Sequence, residues 1–162
     1  SWGDARDALP VPVVMLIVAS LGMGKALVAT GMAEFLAGVF VALAEGLPAP
    51  LILSLFLLTM AILTNIVSNN AAAVIGTPIA IATAQQIGAD PMPFLLAVLF
   101  GANMSFVTPF GYQTNLLIMS AGNYRFTDFA RVGLPLAFIM WLGFSLVLPT
   151  MYELSGYSTG GM

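Results

Sequence analysis

Residues 64–73 read Thr-Asn-Ile-Val-Ser-Asn-Asn-Ala-Ala-Ala and stand between two apolar runs, residues 51–63 and 71–84. Five of the seven residues from Thr64 to Asn70 are polar, yet the stretch holds none of the Gly, Pro or charge that an exposed turn tends to use. Each flanking run is about 13 residues, short of the ~20 that cross a bilayer. The pattern predicts a re-entrant helical hairpin over residues 50–85, entering and leaving the membrane on one face. Ser68 and Asn69 directly precede the Ala-rich run and can cap its orphan backbone N–H groups. A helix N-terminus carries partial positive charge and attracts an anion without any cationic side chain. Carbonyls left by the preceding half-helix, around residues 65–67, can coordinate a hard cation such as Na⁺. The plain alternative is a loop joining two complete spans.

A second polar interruption, Thr108-Pro109-Phe110-Gly111-Tyr112-Gln113-Thr114-Asn115, follows about forty residues later. Pro109 removes a backbone donor and Gly111 permits unusual dihedral angles, so the helix is expected to unwind here and free carbonyls around residues 110–113. The reading is a broken helix over residues 94–121: helical over 94–107, unwound over 108–115, helical again over 116–121. Unwound backbone at membrane depth is tolerated where it is buried in protein or lines a wet cavity. Short, interrupted apolar segments point to a transporter's binding site. A Pro-Gly kink with its polar groups satisfied by neighbours is the simpler alternative. Asn103 and Ser105 serve equally as cavity lining or as hydrogen-bond glue between helices.

Working outward, residues 9–30 form an apolar span carrying only Lys25, whose amine is expected to snorkel to the surface. Gly31 breaks it, residues 32–45 form an arm helix too short to cross, and residues 128–152 form the last span. The fold class is therefore an all-α polytopic membrane protein: one membrane domain with two to three full spans, the hairpin, the broken helix and a horizontal arm helix. Composition agrees. Hydrophobic residues are 60% of the chain and charged residues 7%, against roughly 25% charged in soluble domains. Arg6, Arg125 and Arg131 fall on the face opposite the hairpin's mouth, which the positive-inside rule makes cytoplasmic. The ten Met residues read as packing filler. Ser1 opens a short polar stretch with no signal-cleavage pattern, and the chain is expected to be an excerpt of a longer protein.

The chain has no Cys and no His, which excludes thiol catalysis, disulfides and His-based metal chemistry. No basic run suggests nucleic acid. Neither interruption contains Arg, Lys, Asp or Glu; a proton pump would place a carboxylate there. An anion in such a site is held by amides, hydroxyls, helix dipoles and a co-bound cation, which is the electrostatic reason to expect Na⁺ coupling. Rival classes are an ion-conducting or arsenite-type pore and a non-transporting anchor or sensor. No nucleophile–base pair supports an enzyme.

With both motifs in view, the chain resembles the second half of a divalent anion–sodium symporter. The hairpin tip of that family reads Ser-Asn-Thr before an Ala-rich helix; here residues 68–70 read Ser-Asn-Asn. About forty residues on, a Pro-containing break ends in Asn and leads to a last span opening Arg-Val-Gly, as Arg131-Val132-Gly133 does here. The likeness runs from about Val11 to Tyr152. It implies substrate contacts at Ser68, Asn69, Asn70, Tyr112, Gln113 and Asn115, and Na⁺ held by Ser68, Asn69, Gly111 and Gln113, partly through backbone carbonyls. Asn70 and Tyr112 each replace a usual Thr. The Gly-Tyr-Gln-Thr-Asn form resembles the sulfate- and citrate-type branch that carries regulatory domains of the potassium-channel type. The resemblance further implies a small inorganic or carboxylate dianion as substrate, Na⁺ as coupling ion or H⁺ in its place, an inverted-repeat hairpin supplied by a missing N-terminal half, elevator-type movement, a homodimer surrounded by lipid, and a bacterial inner membrane.

Overall fold

The computed structural model describes residues 11–152, and among them lie seven α-helices and no strand. Residues 1–10 and 153–162, with Arg6 and the start of the first span, lie outside the described residues. Gly31 takes a left-handed φ of 70° and turns α1 (Val11–Ala29) into α2 (Met32–Leu43), so that residues 21–29 and α2 are bent by 71°. A backbone in that region favours glycine. With 12 residues, α2 rises only about 18 Å, which suits an arm rather than a span.

Next come α3 (Ala49–Ile66) and α4 (Asn69–Gln86), separated only by Val67 and Ser68 in extended conformation. The two fold back side by side. A Cβ built on Gly76 would lie 2.5 Å from the Met60 thioether, so residues equally far from the tip face each other. The hairpin thus exists, but its limbs differ from expectation. Each has 18 residues, a rise of about 27 Å, so neither limb is too short to cross. Thr64, Asn65 and Ile66 continue α3 instead of ending it, and α4 begins as early as Asn69 and runs to Gln86.

Alongside runs α5 (Pro91–Ala102), whose first turn is capped by Asp90 accepting from Met92 N at 2.8 Å. Phe94 packs edge-on to Phe56, Gly101 lies against Leu57 and Met60, and the Thr64 hydroxyl donates to the Ala102 carbonyl at 2.6 Å. These pairs advance together along both helices, so α3 and α5 run parallel, and the hairpin tip and the end of α5 come to one level. A Cβ on Gly101 would sit 2.6 Å from Met60 Cβ and 3.2 Å from the Leu57 carbonyl. Small residues here let helix backbones approach closely, as membrane helices do. The arm α2 packs at the hairpin's base, where the Gln86 amide donates to the Glu34 carbonyl at 3.1 Å and Phe40 meets Phe56.

The broken helix is placed differently from its sequence reading. Helix α5 stops at Ala102 rather than residue 107, residues 103–112 are non-helical, and α6 (Gln113–Ala121) already contains Gln113, Thr114 and Asn115. After a turn at Asn123, φ 53°, helix α7 (Phe126–Met151) returns along α3. Its first turn is closed by Asp128, whose carboxylate accepts from Arg125 N at 2.8 Å. The seam between α7 and α3 is polar at one point, where Ser54 and Ser145 share a 2.8 Å hydrogen bond and the Trp141 indole donates to the Ser54 carbonyl at 3.0 Å. Phe100 and Phe144 stack at 4.1 Å. The outer face of α7 exposes Val132, Phe138, Ile139, Leu142 and Leu146, an apolar stripe suited to lipid. By length and apolarity α3 and α7 can each cross a membrane, and the bent α1–α2 pair would make a third span, in line with two to three.

Candidate functional site

The two interruptions meet, and a single side chain does most of the joining. Asn65, in the last turn of α3, donates from Nδ2 to the Met104 carbonyl at 2.9 Å and accepts at Oδ1 from Val107 N at 3.0 Å and Thr108 N at 3.1 Å. Its own carbonyl accepts the Thr108 hydroxyl at 2.7 Å. The extended loop therefore uses the hairpin as a substitute for the helix it has left. An unwound segment inside protein needs such partners, because orphaned backbone groups there cost several kcal/mol each in an apolar medium, ~4–8.

From the loop side, Gly111 is buried, and a Cβ on it would lie 2.7 Å from the Thr64 carbonyl and 2.8 Å from Ser105 Cβ. Asn115 holds the loop to its own helix, its Nδ2 donating to the carbonyls of Ser105 at 2.8 Å and Thr108 at 3.3 Å. Behind the junction, α7 touches the loop at Gly133, where an added Cβ would lie 2.8 Å from Val107 Cα and overlap the Phe106 carbonyl. A cavity of about 350 Å³ remains beside it, walled mainly by Ile62, Ile66, Leu134, Phe138 and Trp141, with Asn65 and Thr108 at its polar edge.

On the tip itself, Ser68 is the N-cap of α4, its hydroxyl accepting from Ala71 N at 3.3 Å, as the sequence suggests. Next to it the buried Oδ1 of Asn69 has no hydrogen-bond partner among the described residues. A buried acceptor left empty is uncommon in a folded protein. Asn70 is exposed. Across the junction, Tyr112, Gln113 and Thr114 are exposed at the start of α6, and no side chain caps that helix. Its first amides lie at the positive end of the helix dipole.

The expected free carbonyls are corrected in part. That of Asn65 accepts the Thr108 hydroxyl at 2.7 Å and that of Tyr112 accepts from Asn115 N at 3.0 Å, while the neighbouring Thr64 carbonyl is covered by Gly111. Among the described residues no hydrogen bond falls on the carbonyls of Val67, Phe110 or Gly111. The exposed Asn103 returns its amide to the Leu99 carbonyl at 2.7 Å in its own helix, and Ser105 is buried behind Gly111. Among the described residues no cluster of three acidic, His or Cys side chains could hold a metal. The residues that sequence reading missed are Asn65 and Thr64 as side chains. Their only signal was polarity near the end of an apolar run.

The citrate transporter family model matches residues 1–158. The chain belongs to that family. Its family is one of transporters, not enzymes, and with its apolar helices the chain is an integral membrane protein, multi-pass by its candidate spans. It is 40% identical over 151 residues to an uncharacterized transporter of Synechocystis, covering 93% of this chain and 24% of that protein. It is 36% identical over 150 residues to sodium/sulfate cotransporter 1 of Chlamydomonas reinhardtii, covering 89% of this chain and 17% of that protein. It is 27% identical over 132 residues to human solute carrier family 13 member 2, covering 82% and 22%. The chain spans about a quarter or less of the length of these relatives. The resemblance to the divalent anion–sodium symporters agrees with these matches.

Proposed function

We propose that this chain is the substrate-carrying part of a secondary transporter that moves a small divalent anion, sulfate or a di- or tricarboxylate, together with Na⁺. The observation that carries this reading is the union of two non-helical stretches through Asn65 and Gly111, with the Asn69 acceptor and the Val67, Phe110 and Gly111 carbonyls left over. Oxygen donors of this kind suit Na⁺, and half-helix N-termini suit an anionic group. Ser68, Asn69, Gly111 and Gln113 hold Na⁺ in this reading. Ser68, Asn69, Asn70, Tyr112 and Gln113 face the dianion, whereas the Asn115 amide serves the loop. No side-chain cation stands in either stretch, so the metal ion supplies the charge that draws the anion. An equivalent hairpin from elsewhere in the parent protein completes the site.

The hairpin re-enters on one face, the unit shifts across a bacterial inner membrane in an elevator motion, and the parent works as a homodimer. Support for Na⁺ and sulfate comes from the name of the Chlamydomonas relative and for a dicarboxylate from a Caenorhabditis elegans protein, 27% identical, named a sodium-dependent high-affinity dicarboxylate transporter. Uptake of radiolabelled sulfate, succinate and citrate into proteoliposomes of the full-length parent tests this, with Na⁺ varied against choline. Saturable, Na⁺-dependent uptake of one anion is expected. Uptake indifferent to Na⁺ but driven by a proton gradient would replace the coupling ion, and unsaturable current would replace the carrier with a pore.

A further inference from the structure

Asn65 commits every hydrogen-bonding group it has. Its Nδ2 donates to the Ala61 carbonyl at 2.7 Å in its own helix and to Met104 at 2.9 Å across the junction, while Oδ1 accepts from two successive loop amides, Val107 and Thr108. A carboxamide alone offers two donors and an acceptor oxygen with two lone pairs on one short stem. A carboxylate has no donor, an aliphatic side chain has neither, and Gln adds a methylene that moves both groups. The loop is therefore fixed in height and rotation against the hairpin tip by a group only a few residues from Val67 and Asn69.

We propose that Asn65 is a positioning residue for Na⁺: it sets the register of the 103–112 loop on the hairpin tip, so that oxygens from the two stretches reach the ion together. Asn65 itself does not ligate the ion, because neither of its side-chain atoms is free. This inference rests on the two-stretch site proposed above.

Replacing Asn65 with Leu tests the idea without adding a charge beside the ion: it removes both donors to Ala61 and Met104 and the acceptor for the two loop amides. The probe is Na⁺ alone. Na⁺ replacing choline raises the thermal midpoint of the purified full-length parent, and the concentration dependence of that rise gives the half-saturating Na⁺.

For Asn65→Leu, half-saturating Na⁺ is expected to be roughly tenfold above wild type. If Asn65→Leu tracks wild type, or only lowers the midpoint without moving half-saturation, the positioning role is overturned. Should the apolar side chain prevent purification, Asn65→Gln keeps the same groups on a longer stem, and unchanged half-saturation there overturns it too. A wild-type parent that ignores Na⁺ overturns the two-stretch site as well, which separates the two failures.

Discussion

Gly111 sits over the carbonyl of Thr64 with no room for a methyl group between them, the would-be Cβ lying 2.7 Å from that oxygen. The contact joins the loop to the hairpin at backbone level, so neither side can yield by rotating a side chain. Gly111→Ala is expected to cost about 1–3 kcal/mol of stability and to lower Na⁺-dependent uptake by the parent at least roughly tenfold. Thermal midpoints in detergent and initial uptake rates measure the two effects. Near-normal uptake would mean that the loop can sit elsewhere on the tip.

Ser68 and Asn69 are neighbours with different internal duties, and substitution should separate them. Ser68→Ala removes the cap on Ala71 and is expected to cost about 1 kcal/mol, with loss of uptake. Asn69→Ala removes an acceptor that no group among the described residues uses, so stability should stay within about 0.5 kcal/mol while Na⁺-dependent uptake disappears. Unfolding midpoints beside uptake for the two variants decide the matter; equal destabilisation of both would assign Asn69 a structural role.

The Ser54–Trp141–Ser145 point of the α3–α7 seam lies roughly three helical turns from the tip along α3. Trp141→Phe loses the indole hydrogen bond to the Ser54 carbonyl and is expected to cost about 0.5–1.5 kcal/mol. Half-saturating Na⁺ and anion concentrations should be unmoved. A shift in either would place the seam in the transport cycle.

Gly133 lets α7 lie directly on the Phe106 backbone. Gly133→Val cannot be absorbed by a neighbouring rotamer, since the obstacle is main chain, and overpacking of this kind costs about 1–3 kcal/mol. The expected outcome is an inserted protein with a lower midpoint and reduced uptake. A wild-type midpoint would mean that α7 stands off the loop.

The hairpin, the arm after Gly31 and the last span could be read from apolar runs and their breakers, because helix, turn and bilayer act locally. The ends of the interruptions could not. Pro109 and Gly111 drew attention to residues 108–115, yet the chain leaves the helix at Asn103, six residues before the proline. Its early exit is supported by partners about forty positions away, Thr64 and Asn65, which take up what the lost helix would have bonded. Conversely, Thr64 to Ile66 read as a break and are helical, their polarity serving the neighbour rather than ending the helix. Ser68 as the cap of α4 and Gly111 as a point of unwound backbone could be read from residue type; that Asn115 faces inward depends on a loop shape no local pattern encodes.

Met60 is wedged between Gly76 on one side and Gly101 on the other. Any side chain larger than hydrogen at Gly101 would meet Met60 Cβ and the Leu57 carbonyl, so α5 can lie this close to α3 only with glycine there. In the proposed carrier the hairpin tip and the end of α5 therefore travel as one piece.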